Sequence, residues 1–205
     1  VVDVIDASNL ERNLYLTIQL LEMGVPLVVA LNMMDVARRR GVELDLEGIS
    51  RRLGCPVVPI VAISGEGLSE LQSRILAVAD ERQAPGFPLA HDEAVEQAID
   101  RLLPALDDEM PANRRWLALK LLEGDGGPNV PQAQRDEAEA VRDWAASHFG
   151  RDIGLSIADS RYTHAHAVAL AVTVKSPQVR RTFSDRIDSL VLGRWTGVPI
   201  FLAVM

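Results

Sequence analysis

The chain has 205 residues, 48% of them hydrophobic and 24% charged, and a net charge of −8. That length suits one large domain or two small ones. The acidic balance argues against a nucleic-acid partner, which would favour a basic face.

In chain order, "VVDVIDA" (1–7) reads as a buried strand, short and β-branched. Ser8 and Glu11 follow at capping-box spacing, each able to satisfy a free N–H at a helix start. Leu10, Leu14, Thr17 and Leu21 share one face of that helix, which Gly24 and Pro26 end. "PLVVALN" (26–32) is a second strand, "LEGISRRLG" (46–54) a short helix and "PVVPIVA" (56–62) a third strand. From Gly67 onward, Leu68, Leu71, Ile75 and Val78 mark another amphipathic helix. Strand–helix alternation of this kind predicts an α/β parallel sheet with flanking helices. Cys55, the single cysteine, cannot form an internal disulfide, which fits a reducing compartment. Beside strand 56–62 it reads as core.

"RQAPGFPLAHDE" (82–93) has the look of a linker, and past it the pattern is helical with no convincing strand. Val95, Ile99, Leu102 and Leu106 share a face, although Pro104 kinks or ends that helix. Segments 114–125 and 131–150 are helical, the second with Ala138, Val141 and Ala145 inward. Residues 154–174 form a long helix whose β-branched tail weakens the assignment. Ser184 is placed to cap a further helix, 185–195. Trp116 and Trp144 are expected as core anchors. His91 and His148 are expected at solvent-facing helix ends, and the "DDE" at 107–109 in a solvated loop. His164 and His166, two apart, point to opposite sides of a helix and do not share a metal ion easily. No Ser/His/Asp or Cys/His catalytic set stands out. The expected division is 1–84, 85–183 and 184–205.

In an open parallel sheet, ligands bind beyond the C-terminal ends of the strands. Asn32 and Asp35 fall at that point after strand 26–32. A carboxylate at Asp35 can accept from the ring N–H and the exocyclic amine of guanine, a donor pair that adenine lacks. Asn32, both donor and acceptor, suits either the purine N7 edge or bracing of the adjacent loop. The next strand ends in "VAISGEGLSEL" (61–71), where a backbone N–H near Ala62 could meet the guanine carbonyl oxygen. Gly65 and Gly67 let that loop turn tightly.

Together these residues resemble the C-terminal half of a small GTPase domain, with Asn32-Met33-Met34-Asp35 in place of its Asn-Lys-x-Asp motif. "DASNLERNLYLTIQLLEMGVPLVVALNMMD", "RRWLALKLLEGD", "IADSRY" and "RRTFSDRIDSLVLGRWTGVPIFLAVM" resemble, more narrowly, the bacterial ferrous iron transport protein B family. The likeness spans nearly the whole chain and is weakest at 126–150 and 163–179. It implies a partial P-loop-GTPase-like sheet, then an all-α helical domain that stabilises GDP and couples to the membrane, then a C-terminal apolar segment. It also implies that Asn32, Met33, Asp35, Val61, Ala62 and Ile63 contact the guanine of GTP or GDP. Met33 stands where GTPases generally carry lysine, and either aliphatic stem can pack on the base. Val61-Ala62-Ile63 departs from the usual Ser-Ala-Lys, so that assignment rests on backbone geometry. The resemblance places the parent in the bacterial inner membrane with this portion facing the cytoplasm, moving Fe²⁺ and using Mg²⁺ with its nucleotide. It leaves a homo-oligomer open.

No G-x-x-x-x-G-K-[ST] phosphate loop occurs in the 205 residues. The chain is therefore expected to begin inside the GTPase domain, at Val1 in mid-strand, and to lack GTPase activity by itself. Because Val1 opens directly in an apolar run with no basic stretch, a signal peptide is not expected within these residues. At the other end, Arg194-Trp195 and "TGVPIFLAVM" resemble the entry to a first membrane helix, with Trp at the interface and Lys175, Arg180, Arg181, Arg186 and Arg194 on the cytoplasmic side. Two alternatives stay open: a soluble GTPase with an appended helical module, and a nucleotide-free helical interaction module.

Overall fold

The computed structural model describes residues 1–81, 89–106, 114–127 and 129–175. Expectations for 107–109 and for everything beyond 175, the cap at Ser184 and the apolar C-terminal segment included, lie outside these residues. Among them, no helix is long and apolar enough to cross a membrane.

Three parallel strands form the sheet: β1 (Val2–Asp6), β2 (Val28–Asn32) and β4 (Val57–Pro59), in the order β1-β2-β4. Val2 pairs with Val28 and Asp6 with Asn32, while Val29 pairs with Val57. β2 is central, which is why its run Val28–Leu31 is apolar on both faces and buried throughout. Ile5, Val29 and Leu31 point to the larger core, beneath helices α1 (Leu10–Glu22), α3 (Leu46–Leu53) and α8 (Ile153–Val172). Val28, Ala30, Val58 and Ile60 point the other way, onto Leu71, Ile75 and Val78 of α4 (Leu68–Glu81). Each fully buried aliphatic side chain contributes about 1.5–3 kcal/mol, so the sheet is held chiefly by these two layers.

The capping box expected from Ser8 and Glu11 does not form. Ser8 lies inside a 3-10 turn, Ala7–Asn9, and α1 starts after it. Asp6 is the cap instead: its Oδ1 accepts the Ser8 N–H at 2.7 Å and its Oδ2 accepts from Asn9 Nδ2 at 2.8 Å. The extra turn moves the helix start past the hydroxyl. The strands are also shorter than the apolar runs, since pairing requires a partner and not apolarity alone.

Two short elements escape a local reading. Helix α2 (Met34–Arg39) follows β2 directly, and β3 (Val42–Leu44) pairs antiparallel with β5 (Thr173–Lys175). The expectation of no strand after the linker is thus corrected. Thr173 leaves the helix with φ −92° and ψ 110°, and the β-branched tail of the predicted helix becomes a strand because β3 offers a ladder.

The second core is helical. Helices α5 (Glu93–Leu102), α6 (Arg114–Leu122) and α7 (Gln132–Phe149) bury Val95, Ile99, Leu102, Leu119, Leu122 and Val141. Ala138 and Ala145 point inward as the spacing predicts. α5 ends before Pro104, which sits in a 3-10 turn, and Leu106 still reaches the same core. Trp144 packs against this cluster under Arg101, whose guanidinium carbon is 4.7 Å from the ring centroid. Trp116 is half-buried. α8 serves both cores: Ile153 and Ile157 pack in the helical one, Ala165, Val168 and Val172 in the sheet one.

Candidate functional site

Adjacent strands β2 and β4 end at one rim of the sheet, and the loops that leave them meet there. Asn32 closes β2, and its Oδ1 accepts the backbone N–H of Ala62 at 3.1 Å. Of the two uses open to Asn32, the structure displays the loop brace. The Ala62 amide expected to face a guanine oxygen is the donor of that brace. Two more contacts join the same loops: Met34 N–H to the Ile60 carbonyl at 3.5 Å, and an ion pair of Arg38 with Glu66 at 2.9 Å.

Met33 has φ 61°, the one positive value on a non-glycine residue among the described residues. A left-handed L-residue costs about 1–2 kcal/mol, and such strain gathers where function holds a backbone in place. The conformation turns the chain sharply from β2 into α2 and leaves the Met33 side chain 44% exposed at the rim. Asp35 lies in the first turn of α2, half-buried, with Oδ2 2.8 Å from Arg39 Nη1 one turn on. Such a solvent-facing pair contributes little, so a ligand with two N–H donors can replace Arg39 at small cost.

The 61–67 loop is a closed turn. Val61 N–H donates to the Glu66 carbonyl at 3.0 Å, and Ser64 and Gly65 N–H donate back to the Val61 carbonyl at 3.1 and 3.0 Å. Gly67 has φ 81°. A Cβ there would run into the Pro59 carbonyl oxygen and the Cα of Ile60, so no side chain fits. Val61 is buried in the larger core and offers a ligand only its backbone, whereas Ile63 is fully exposed. The rim thus gathers a carboxylate, a rigid backbone turn and two exposed apolar side chains. That set can bind a flat polar ring.

Beside it, Asp6 is the register partner of Asn32 on β1. Burial raises the Asp6 carboxyl, but hydrogen bonds from Asn9 and Ser8 and the charge of Arg40 outweigh it and hold the group below the ordinary carboxylate range. Of the histidines, His148 is exposed in the last turn of α7. His166 is exposed and lies 3.0 Å from Glu11. His91 departs from expectation. Its side chain is fully buried, with Nε2 3.3 Å from Glu22 Oε1, because the end of α1 covers it. Among the described residues, no group of three His, Cys, Asp or Glu converges to hold a metal ion.

Sequence reasoning missed Arg161, the largest fully buried side chain. A signal existed: Ile157, Arg161, Ala165, Val168 and Val172 recur at helical spacing, and the arginine is the one charge on that inward face.

Comparison with known proteins matches both halves. The family described as ferrous iron transport protein B matches residues 1–75, and the FeoB cytosolic helical domain matches 91–174. The Fe(2+) transporter FeoB of Salmonella typhimurium is 40% identical over the whole chain, which covers 26% of that protein. The chain thus spans about a quarter of the length of the curated relatives it matches. The cytosolic domain of L. pneumophila FeoB superposes with TM-score 0.70 at 33% identity, over 85% of this chain and 67% of that one. NFeoB from S. thermophilus bound to GDP·AlF4− and K+ gives TM-score 0.71 at 32% identity, over 81% and 66%. Sequence identity across both units, with a shared fold, carries the assignment: the chain belongs to the ferrous iron transport protein B family.

Proposed function

We propose that the rim of Asn32, Met33, Asp35 and Val61–Ile63 recognises the guanine base of GTP or GDP, within a membrane transporter for Fe²⁺. The hydrogen bond from Ala62 to Asn32 carries this reading. It joins loops 30 residues apart at the C-terminal ends of adjacent strands, where a parallel sheet binds its ligands. Asp35 accepts from the ring N–H and the exocyclic amine. Met33 and Ile63 cover the faces of the ring, and the carbonyl oxygen falls to the backbone of the 61–63 turn. The solved relative bound to GDP·AlF4− supports guanine nucleotide as the ligand.

None of these residues holds Mg²⁺, which belongs with the phosphates in the parent. The helical unit stabilises the GDP-bound state and couples the nucleotide rim to a membrane segment reached through residues 184–205. The parent sits in the bacterial inner membrane with this portion in the cytoplasm. The 205 residues contain no phosphate loop, so the chain alone is expected to hydrolyse no GTP and to show no binding by calorimetry.

The deciding experiment is Asp35→Asn in a chain extended upstream to include a phosphate loop. Asn presents a donor where the carboxylate accepted, so GTP affinity is expected to fall about 100-fold and xanthosine triphosphate affinity to rise. Unchanged GTP binding with continued rejection of the xanthine nucleotide would falsify the role given to Asp35.

A further inference from the structure

Arg161 stands on α8 at the seam between the two apolar cores, after Ile157 of one and before Ala165 of the other. It is 0% exposed. Its Nε donates to Glu22 Oε1 and Oε2 at 3.2 and 2.9 Å, and Nη2 lies 2.9 Å from Glu22 Oε2. Nη1 donates to Glu123 Oε1, and Nη2 to Glu123 Oε2 at 3.2 Å. Glu22 is the last residue of α1, and Glu123 directly follows α6. One guanidinium therefore grips the end of an element from each unit. Lys120, 3.4 Å from Glu123, adds the cation that balances the second carboxylate.

The far end of α1 lies at the rim. The helix starts beyond the 3-10 turn Ala7–Asn9, against which α2 packs, and Asp6 before that turn is the register partner of Asn32. Thirteen helical residues span about 20 Å, so α1 runs as a stiff rod from rim to seam. A buried ion cluster adds little net stability over apolar packing, yet it penalises any arrangement that misplaces one member. Its effect is to select one position of α1 relative to α6 and α8.

We propose that Glu22, Arg161 and Glu123 form the joint through which the rim and the helical unit sense each other, with Arg161 as the positioning residue and α1 as the connecting rod. The proposal rests on the guanine reading only for what the rim binds. Its test uses no nucleotide, so either can fail without the other. Amide hydrogen exchange of the 205-residue chain is followed by mass spectrometry in Arg161→Gln, Arg161→Lys and Glu123→Gln, with Ile99→Val as a control inside the helical core. Arg161→Gln is expected to speed exchange at residues 7–9 and 33–36 by roughly 5-fold or more. Arg161→Lys, which keeps the charge without the fork, should recover part of the protection, and the control should leave the rim at its wild-type rate. Faster exchange confined to α6 and α8, or an equal rise at the rim in the control, overturns the proposal. Should Arg161→Gln not fold, Glu123→Gln decides: it leaves the Glu22 contact in place, and a rim unchanged by it overturns the joint.

Discussion

Asp3 is a carboxyl packed into the sheet core, 6% exposed, with a hydrogen bond from Thr17 Oγ1 at 2.6 Å. Burial raises its pKa, and the Thr17 bond only partly offsets this. A raised carboxyl stabilises the fold while protonated, and that contribution disappears as pH rises through its folded value. Asp3→Asn keeps an acceptor for Thr17 without the charge. It should raise the melting temperature at pH 7, with the gain fading toward about pH 4. An equal or lower midpoint at pH 7 would show that Asp3 is better solvated than its packing implies. Burial and the Asp3 charge push the neighbouring Cys55 thiol up to about 12, so alkylation by iodoacetamide at pH 8 should await unfolding. His164 carries the opposite linkage. Burial first, then Arg52 and His91, lowers its pKa. Its contribution is present above the ordinary histidine value, about 6.5, and is lost as pH falls below it. The wild type should weaken on acidification from pH 7 to 5, and His164→Gln should flatten that slope in urea titrations.

Among elements, the 61–67 loop is the least forgiving. Gly67→Ala puts a methyl group against the Pro59 carbonyl at a positive φ, a combination worth about 1–3 kcal/mol or more. A fall of that size in the stability extrapolated from urea unfolding is the expected result, together with faster exchange at the Val61 amide. Met33 is the counterpart in the facing loop. Its strain is tolerated because the Asn32–Ala62 bond and the Arg38–Glu66 pair fix the turn from both sides. These contacts hold the two loops of the rim in one arrangement.

For the whole molecule, α8 decides cooperativity. One helix of 20 residues supplies side chains to both cores, and β5 at its end closes a ladder with β3. Ile157→Ala in the helical core and Val168→Ala in the sheet core should therefore lower a single calorimetric transition, the first by about 2–4 kcal/mol. Two transitions, each moved by only one variant, would show the units unfolding separately. Arg161→Met removes the cation between the buried Glu22 and the partly buried Glu123 carboxylates, and about 3 kcal/mol should be lost from that same transition.

The parts of this protein legible in its sequence are those fixed by neighbours along the chain. The repeats of β1, α1, β2 and α4 are local periodicities. Asn32, Asp35 and the glycines of the 61–67 loop mark the rim because strand ends lie where apolar runs stop. The illegible parts depend on partners far away. β3 and β5 have three residues each and no pattern of their own, and they are strands only because each offers the other free backbone groups. His91 looked like a surface residue until the end of α1 closed over it. Arg161 and Glu22 lie 139 positions apart, so no spacing along the chain links the one to the other.

The sequence by itself therefore determined the parallel α/β half, the helical half and the place where the 32–35 and 61–67 loops leave the sheet, since each follows from spacing within a few turns or strands. Only the tertiary structure decided how the halves are joined and that Asn32 braces the Ala62 loop. A buried charge or a short ladder is stable only where folding brings its complement into reach, and no local pattern encodes that.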